Sequence, residues 1–232
     1  MSSETDRTVD TDARSDGEGD LRAVDGRVPG RRGMATRQRL LEHTRTLLET
    51  TAYRDLKVVD IAREAGPSPA TFYQYFPDAE AALLALADGL VGEARERLTR
   101  PLREATWEGR SAYEACRRVA STFLEFWTDH SALMAVIDLI ALQGDPRFRD
   151  VRNEVVSPFV IAATQVITDQ QEQGSVPEGL DPISTAVVLV SMLAHVAAHQ
   201  ERLDYANLRR PELLDAMARM IYTGVTGQPP PD

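Results

Sequence analysis

Apolar positions along this chain recur at three- and four-residue intervals, the spacing of one helix face, and nowhere alternate as a strand would. Leu40, Leu41, Thr44, Leu47 and Leu48 share a face, which predicts a helix from residue 36 to about 51. Val58, Ile61, Ala62 and Ala65 mark a second, short helix over 58–65, with Gly66 as its C-cap and Pro67 preventing continuation. Ser68 is a good N-cap and Pro69 suits a first helical position, so a third helix is predicted over 69–76, broken by Pro77. Asp78 can cap a fourth, Ala/Leu-rich helix from 79 to about 100. A fifth covers about 111–129, with Tyr113, Cys116, Ala120, Phe123 and Trp127 in one stripe, and a sixth about 131–143. Gly144-Asp145-Pro146 is a turn. A seventh helix runs over about 147–173, where Pro158 predicts a kink. After a loop at 174–181, Pro182 opens a very apolar eighth helix to about 204, and Pro211 a ninth to about 223. The prediction is an all-α chain of about nine helices: three short ones, then a larger helical bundle.

Residues 1–33 are rich in Asp, Ser, Thr, Gly and Arg without apolar periodicity, and read as a disordered tail with a basic end. The predicted divisions are this tail, a three-helix unit at 34–78, a bundle at 79–226 and a frayed, Pro-rich end at 227–232.

Composition narrows the picture. The chain has 232 residues, 43% hydrophobic and 27% charged, which suits a globular protein with a real core. Cys116 is the single cysteine, so there is no internal disulfide framework and no multi-cysteine metal site. The best apolar run, 186–194, is about half of a membrane span and carries Ser191. The first twenty residues are too acidic and polar for a secretory signal. A soluble, cytoplasmic protein with no membrane partner is expected.

The net charge of −10 is unevenly spread. Residues 1–20 hold seven acids and two bases, and residues 78–232 hold 23 acids and 14 bases. Between them, residues 21–77 hold ten bases and six acids. DNA responds to such a local field rather than to the total.

That positive stretch contains KVVDIAREAGPSPATFYQYF, residues 57–76. Two short helices joined by a Gly-containing turn make a helix-turn-helix, whose second helix enters the major groove. A helix of about two turns is unstable alone and needs a small core behind it. The ordinary alternative is a helical hairpin within a bundle. The consecutive Tyr73, Gln74 and Tyr75, set in the positive segment, favour DNA.

Here the chain resembles the TetR/AcrR family of transcriptional regulators. The matching residues are Asp60-Ile61-Ala62, Ala65-Gly66, Ser68, Thr71-Phe72-Tyr73, Tyr75-Phe76-Pro77, Glu80-Ala81 and Leu83-Leu84, dense over 38–86. The FYxYFPxxEAxLL run is loosely similar to the branch that contains the ethionamide-resistance repressor. The resemblance implies that Thr71 and Gln74 face the groove and that Tyr73 and Tyr75 bond phosphates. Ser68 would meet phosphate beside the exposed amides of the third helix, flanked by Pro69 and Ala70. Ile61, Ala62, Phe72 and Phe76 would be core. Pro69 and Ala79 stand where many members carry Lys or Arg, and Lys57 where Ser or Thr is usual. Two basic phosphate contacts are thus missing and one, at Lys57, is gained. An arm carrying Arg27, Arg31, Arg32, Arg37 and Arg39 would compensate by lying in a minor groove. Its alternative is a solvated linker.

The resemblance also implies that the bundle binds an effector and dimerises. Phe123, Phe126, Trp127, Met134, Ile137 and Phe159, with Phe148, are candidate walls of an apolar pocket for a small hydrophobic or amphipathic effector. At helical spacing such residues also serve as plain core. The effector is expected between the fourth and seventh helices. Helices eight and nine, the latter with Leu213, Leu214, Met217, Met220 and Ile221, are the expected homodimer interface on palindromic operator DNA. His195 and His199 share a helix face, but two ligands without an HExxH pattern make no metal site. Cys116 reads as core and His130 as an end cap.

The expected function is a DNA-binding transcriptional regulator, with a repressor as the leading expectation, released from its operator by the effector. No catalytic residue, metal or cofactor is expected. A helical regulator acting through protein contacts and an all-α metal-dependent enzyme using His195 and His199 are the competing readings.

Overall fold

The computed structural model describes residues 23–200 and 209–231. Among them are nine α-helices and no strand: α1 (Arg31–Leu48), α2 (Val58–Ala65), α3 (Pro69–Tyr75), α4 (Ala79–Arg103), α5 (Gly109–Asp129), α6 (Ser131–Leu142), α7 (Pro146–Glu172), α8 (Pro182–His199) and α9 (Arg210–Thr226). A 3-10 turn, Tyr53–Asp55, leads into α2.

The first three helices form a head around Leu40, Leu41, Ile61, Phe72 and Phe76, all buried. Each large side chain buried this way contributes roughly 1.5–3 kcal/mol, which holds a seven-residue α3 that has too few turns to persist alone. Helix α4 leaves the head, capped by Asp78, whose carboxylate accepts from the Ala81 amide at 2.8 Å. It then packs along α7, and α5 lies among α4, α8 and α9 to complete the bundle.

Several boundaries differ from expectation. Helix α1 begins at Arg31, five residues early, so the expected division at 33/34 falls inside it. Apolar periodicity does not report this turn; a small residue does. A side chain on Gly33 would stand 2.8 Å from Pro29 Cβ and 3.2 Å from the Tyr75 hydroxyl, so its absence lets the chain close on α3. Residues 23–30 are correspondingly docked: the Val24 amide donates to the Gln74 carbonyl at 2.9 Å. The rest of the expected tail, 1–22, lies outside the described residues, as does any extension of α8 over 201–204. Helix α7 continues through Pro158 as one element.

One expectation is corrected. Helix α8 has 18 residues and a mean hydropathy of 1.5, so by length and composition a helix sufficient to cross a membrane does exist. Small residues hid it from a search for an uninterrupted apolar run. In this fold its inner face, Ala186, Leu189, Val190, Leu193 and Ala197, is buried in the bundle. Its outer face leaves Ile183, Val187 and Val188 exposed, Val188 at 68%.

Candidate nucleic-acid interface and ligand cleft

The turn between α2 and α3 is set by backbone chemistry. Gly66 ends α2 at φ +91°, a left-handed conformation costly for residues with a Cβ, and its amide closes on the Ala62 carbonyl. Ser68 then caps α3: its Oγ accepts from the Thr71 amide at 3.2 Å and lies 3.1 Å from Thr71 Oγ1. Pro69 occupies the first turn, where its missing N–H costs nothing.

Helix α3 is sharply two-sided. Phe72 is fully buried, meets Phe76 at 5.4 Å, and fixes the helix on the head core. Ser68, Pro69, Ala70, Tyr73 and Gln74 are exposed on the opposite side, with Thr71 and Tyr75 half-buried. Tyr73 is 51% exposed even though its ring edge meets Phe72. Lys57 is exposed at the N-cap of α2, its side chain uninvolved in capping.

The expected basic arm divides. Arg31 and Arg32 are exposed in the first turn of α1, which has no acidic residue there and no side-chain cap. Arg27 is paired in part with Asp25, 3.8 Å away. Arg37, expected beside them as a DNA contact, is instead 8% exposed, with its guanidinium 5.1 Å over the Phe76 ring. Its helical register turns it inward, which a list of basic residues does not reveal.

Two polar junctions tie the head to the bundle. Arg45 of α1 donates to the Asp129 carbonyl at 3.2 Å and to His130 Nδ1 at 3.3 Å. A guanidinium can only donate, so Nδ1 accepts and the Nε2–H faces Glu93 Oε1 at 3.1 Å. His130 stands, as expected, at the end that α5 and α6 share, where its backbone amide closes on the Phe126 carbonyl, while its side chain is a buried bridge among α1, α4 and the α5–α6 corner. Burial opposes ionisation of Glu93, but hydrogen bonds from Arg97 and His130 prevail and hold its carboxyl below the ordinary value. At the second junction Tyr53 donates to Glu80 at 2.8 Å, and Glu80 pairs with Arg147 at the start of α7 at 3.1 Å. Burial, then the bond to Glu80, pushes the Tyr53 hydroxyl up to about 12.

The bundle contains a cleft of about 460 Å³ among α5, α6, α7 and α8. Its apolar walls are Trp127, Met134, Val156, Val190, Ala194 and Ala198; Asp138, Arg152, Asn153, Ser191, His195 and His199 supply polar groups. A smaller hollow of about 190 Å³ shares Trp127, Met134 and His199. Of the six expected pocket residues, Trp127 and Met134 line this space. Phe123, Phe126, Ile137 and Phe159 are fully buried behind it. Phe123 stacks on Trp127 at 5.6 Å, Phe159 meets Phe123 edge-on at 4.8 Å, and Phe126 meets Trp127 at 5.5 Å. The cleft also lies away from α4, whereas the space between the fourth and seventh helices was expected. Sequence reasoning missed Asp138 and Arg152, which pair across α6 and α7 at 2.9 Å. Their opposite charges fourteen residues apart carry no local pattern.

The imidazoles of His195 and His199 stack at 4.3 Å. No group of three side chains suited to a metal occurs among the described residues. Cys116 is fully buried, and its thiol is pushed up to about 12 by burial.

Comparison with known proteins agrees with this geometry. Residues 40–86 match the family model described as bacterial regulatory proteins, tetR family, and residues 98–232 the one described as tetracyclin repressor-like, C-terminal domain. The HTH-type transcriptional regulator EthR of Mycolicibacterium smegmatis is 29% identical over 150 residues, 65% of this chain and 67% of that protein. The fatty acid metabolism regulator protein of Bacillus subtilis is 25% identical over 135 residues, 58% and 68% of the two chains. In fold, the crystal structure of the Bacillus subtilis regulator FadR in complex with stearoyl-CoA superimposes with a TM-score of 0.62 at 20% identity, covering 82% of this chain and 98% of that one. The C-terminal match alone spans more than half of the sequence, and the N-terminal match covers the head in which α2 and α3 form the helix-turn-helix: the chain belongs to the TetR family of transcriptional regulators.

Proposed function

We propose that this regulator reads operator DNA with the outer face of α3 and is released when a largely apolar ligand fills the cleft beside Trp127. The segregation of α3 carries the reading: Phe72 holds the helix while Ala70, Tyr73 and Gln74 stand clear of the head. Gln74 is suited to bidentate bonds with adenine, and the half-buried Thr71 offers its methyl to thymine. Tyr73, Tyr75, Ser68 and Lys57 reach phosphates, with Pro69 and Ala70 filling the close approach. Arg31 and Arg32 add two phosphate contacts from the start of α1. Cations at this end of a helix oppose its dipole, by about 0.3–1 kcal/mol for each exposed charge, and a phosphate would offset that cost.

The cleft fits the second half of the proposal. Its volume lies in the range that accommodates small ligands, roughly 300–1,000 Å³. Trp127 and Met134 supply an adaptable apolar wall, and the buried aromatics behind them keep it rigid. The naming of one relative for fatty acid metabolism, and the stearoyl-CoA bound to the Bacillus subtilis structure, support a long-chain amphipathic effector. Homodimerisation through α8 and α9 would cover Val187, Val188 and Met220, which are exposed in the single chain. It would also set two α3 helices about 34–36 Å apart on a palindrome.

The test is fluorescence anisotropy with DNA from upstream of the chain's own coding region, against scrambled DNA, across a salt series. Selective binding with a steep salt slope, weakened by stearoyl-CoA, is the expected result. Absence of selectivity for any member of a random DNA pool would defeat the operator reading. Selective binding indifferent to acyl ligands would defeat only the effector class.

A further inference from the structure

The chain reaches α3 a second time, from its N-terminal side, through a closed turn. The Ala23 amide donates to the Arg27 carbonyl at 2.9 Å, and the Gly26 amide to the Ala23 carbonyl at 2.8 Å. Gly26 stands at φ +79°, which its missing Cβ permits. Asp25 Oδ1 accepts from the Arg27 amide at 3.0 Å and stiffens the same turn. The Val24 amide then donates to the Gln74 carbonyl at 2.9 Å, one of the carbonyls a helix end leaves without an internal partner. Residues 23–27 are therefore fastened to the end of α3 and belong to the head.

What this turn displays is apolar. Val24 is 57% exposed and Val28 59%, and the two line a groove of about 560 Å³ with Tyr73, Gln74 and Tyr75. The only charged residues along that groove are Asp25 and Arg27, which lie 3.8 Å apart and offset each other. Exposed apolar side chains grouped in this way mark a contact surface. An uncharged apolar wall suits base edges, where each thymine presents a 5-methyl group, better than it suits phosphates. The cations that phosphates attract follow one turn later, at the exposed Arg31 and Arg32. The groove is also continuous with the face assigned above to DNA, because Tyr73 and Gln74 belong to both. Helix α3 alone reads little: seven residues rise about 10 Å, the length of roughly three base pairs.

We propose that the docked turn is a second reading element, in which Val24 and Val28 determine specificity by contacting thymine methyl groups beside the base pair that Gln74 meets. The proposal rests on the assignment of α3 as the reading helix. DNA that brings a base edge to the Gln74 side chain passes alongside the groove that Gln74 shares with the two valines. The Val24–Gln74 bond fixes the distance between the two readers, so the thymine preferred by the turn stands at a constant offset from the base preferred by the helix. Each contact buries one methyl group, and losing it lowers affinity about fourfold. An apolar contact releases no counterion, so it leaves the salt slope of DNA binding alone.

The experiment takes the tightest duplex selected by the full chain from a randomised pool and replaces each thymine in turn by deoxyuridine, which removes the methyl group and keeps the hydrogen bonds. Anisotropy then compares the full chain with Val24→Ser, Val28→Ser, Val24→Pro and Thr71→Ser, and thermal melts confirm that each variant is folded. For the full chain, at least one replacement should weaken binding about fourfold. That loss should persist in Thr71→Ser, whose own methyl is gone, and vanish in Val24→Ser or Val28→Ser, with the salt slope unchanged. Val24→Pro keeps an apolar side chain but lacks the anchoring amide, and should lose the same sensitivity. Thymine sensitivity that survives in all three valine variants would overturn the proposal, and a changed base preference in Gln74→Ala would then show the reading helix intact. A smaller salt slope in either serine variant would also overturn it, by showing that phosphate contacts were lost. Binding indifferent both to deoxyuridine and to Gln74→Ala would overturn the proposal and the reading helix together.

Discussion

The guanidinium of Arg37 lies 5.1 Å over the ring of Phe76, beneath the surface that α1 and α3 share. The same helix displays Arg31 and Arg32 to solvent. Three arginines within seven residues thus perform two jobs. Arg37→Ala should lower the unfolding free energy by about 1–2 kcal/mol, from the lost cation–π contact and stem packing. Arg31→Ala and Arg32→Ala should each raise the stability of the free protein slightly, by up to about 0.3–1 kcal/mol as a cation leaves the N-terminus of α1, and each reduce the salt slope of DNA binding by about one. Denaturant melts and salt titrations of the three variants separate the two classes.

Gln74 is exposed, so its substitution should be felt in recognition rather than folding. Gln74→Ala is expected to relax base preference at one operator position by about 1–3 kcal/mol. The melting temperature should stay at the wild-type value, because the Gln74 carbonyl that anchors Val24 belongs to the backbone and survives the change. Selection from a randomised DNA pool, with a parallel thermal melt, measures both.

Acid should loosen the bundle at identifiable carboxylates. Hydrogen bonds from Arg219 and Tyr113 hold Asp215 below its ordinary 3.8, and Glu93 stands below its ordinary 4.5 despite its partial burial. A depressed folded value means that each contribution is complete above the ordinary value and is lost as pH falls through the folded one. Melting temperature should therefore hold steady above about pH 5 and drop below it. The deficit of Glu93→Gln relative to wild type should shrink over the same descent. Thermal melts from neutral pH to pH 3 follow both curves.

Cys116 should be chemically silent in the native protein. Burial both raises its thiol to about 12 and closes it to reagents. A thiol-specific probe at pH 8 is expected to label it only at the rate of unfolding, and rapidly in denaturant. Cys116→Ser, which puts a hydroxyl in its place, should cost about 1–3 kcal/mol.

Much of this was legible in the chain itself. Gly66, Ser68, Pro69 and Asp78 announce their caps and turns, because capping chemistry acts over three or four residues. Ile61 and Ala62 reveal themselves as core by helical spacing, and Phe72 and Phe76 through the resemblance to the family. The start of α1 was hidden because its first turn, Arg31 to Met34, holds a single apolar residue and is closed by the smallness of Gly33 against Tyr75. The inward turn of Arg37 and the bridge from Arg45 through His130 to Glu93 were hidden for another reason. Each depends on which helix lies opposite, and the partners of Arg45 are 84 and 85 residues away. The cleft was half legible: aromatic and methionine content pointed to Trp127 and Met134, but depth in the bundle separated them from Phe123 and Phe159.

The division of α3 into one buried anchor and an outer face free of structural duties has an evolutionary consequence. Phe72 secures the helix, so Ala70, Tyr73 and Gln74 can change with little effect on whether the protein folds. Exposed positions of this sort typically shift stability by under about 0.5 kcal/mol. A duplicated copy of the gene could thus acquire a new target sequence in a few substitutions, each intermediate remaining a well-folded protein that still responds to its old ligand.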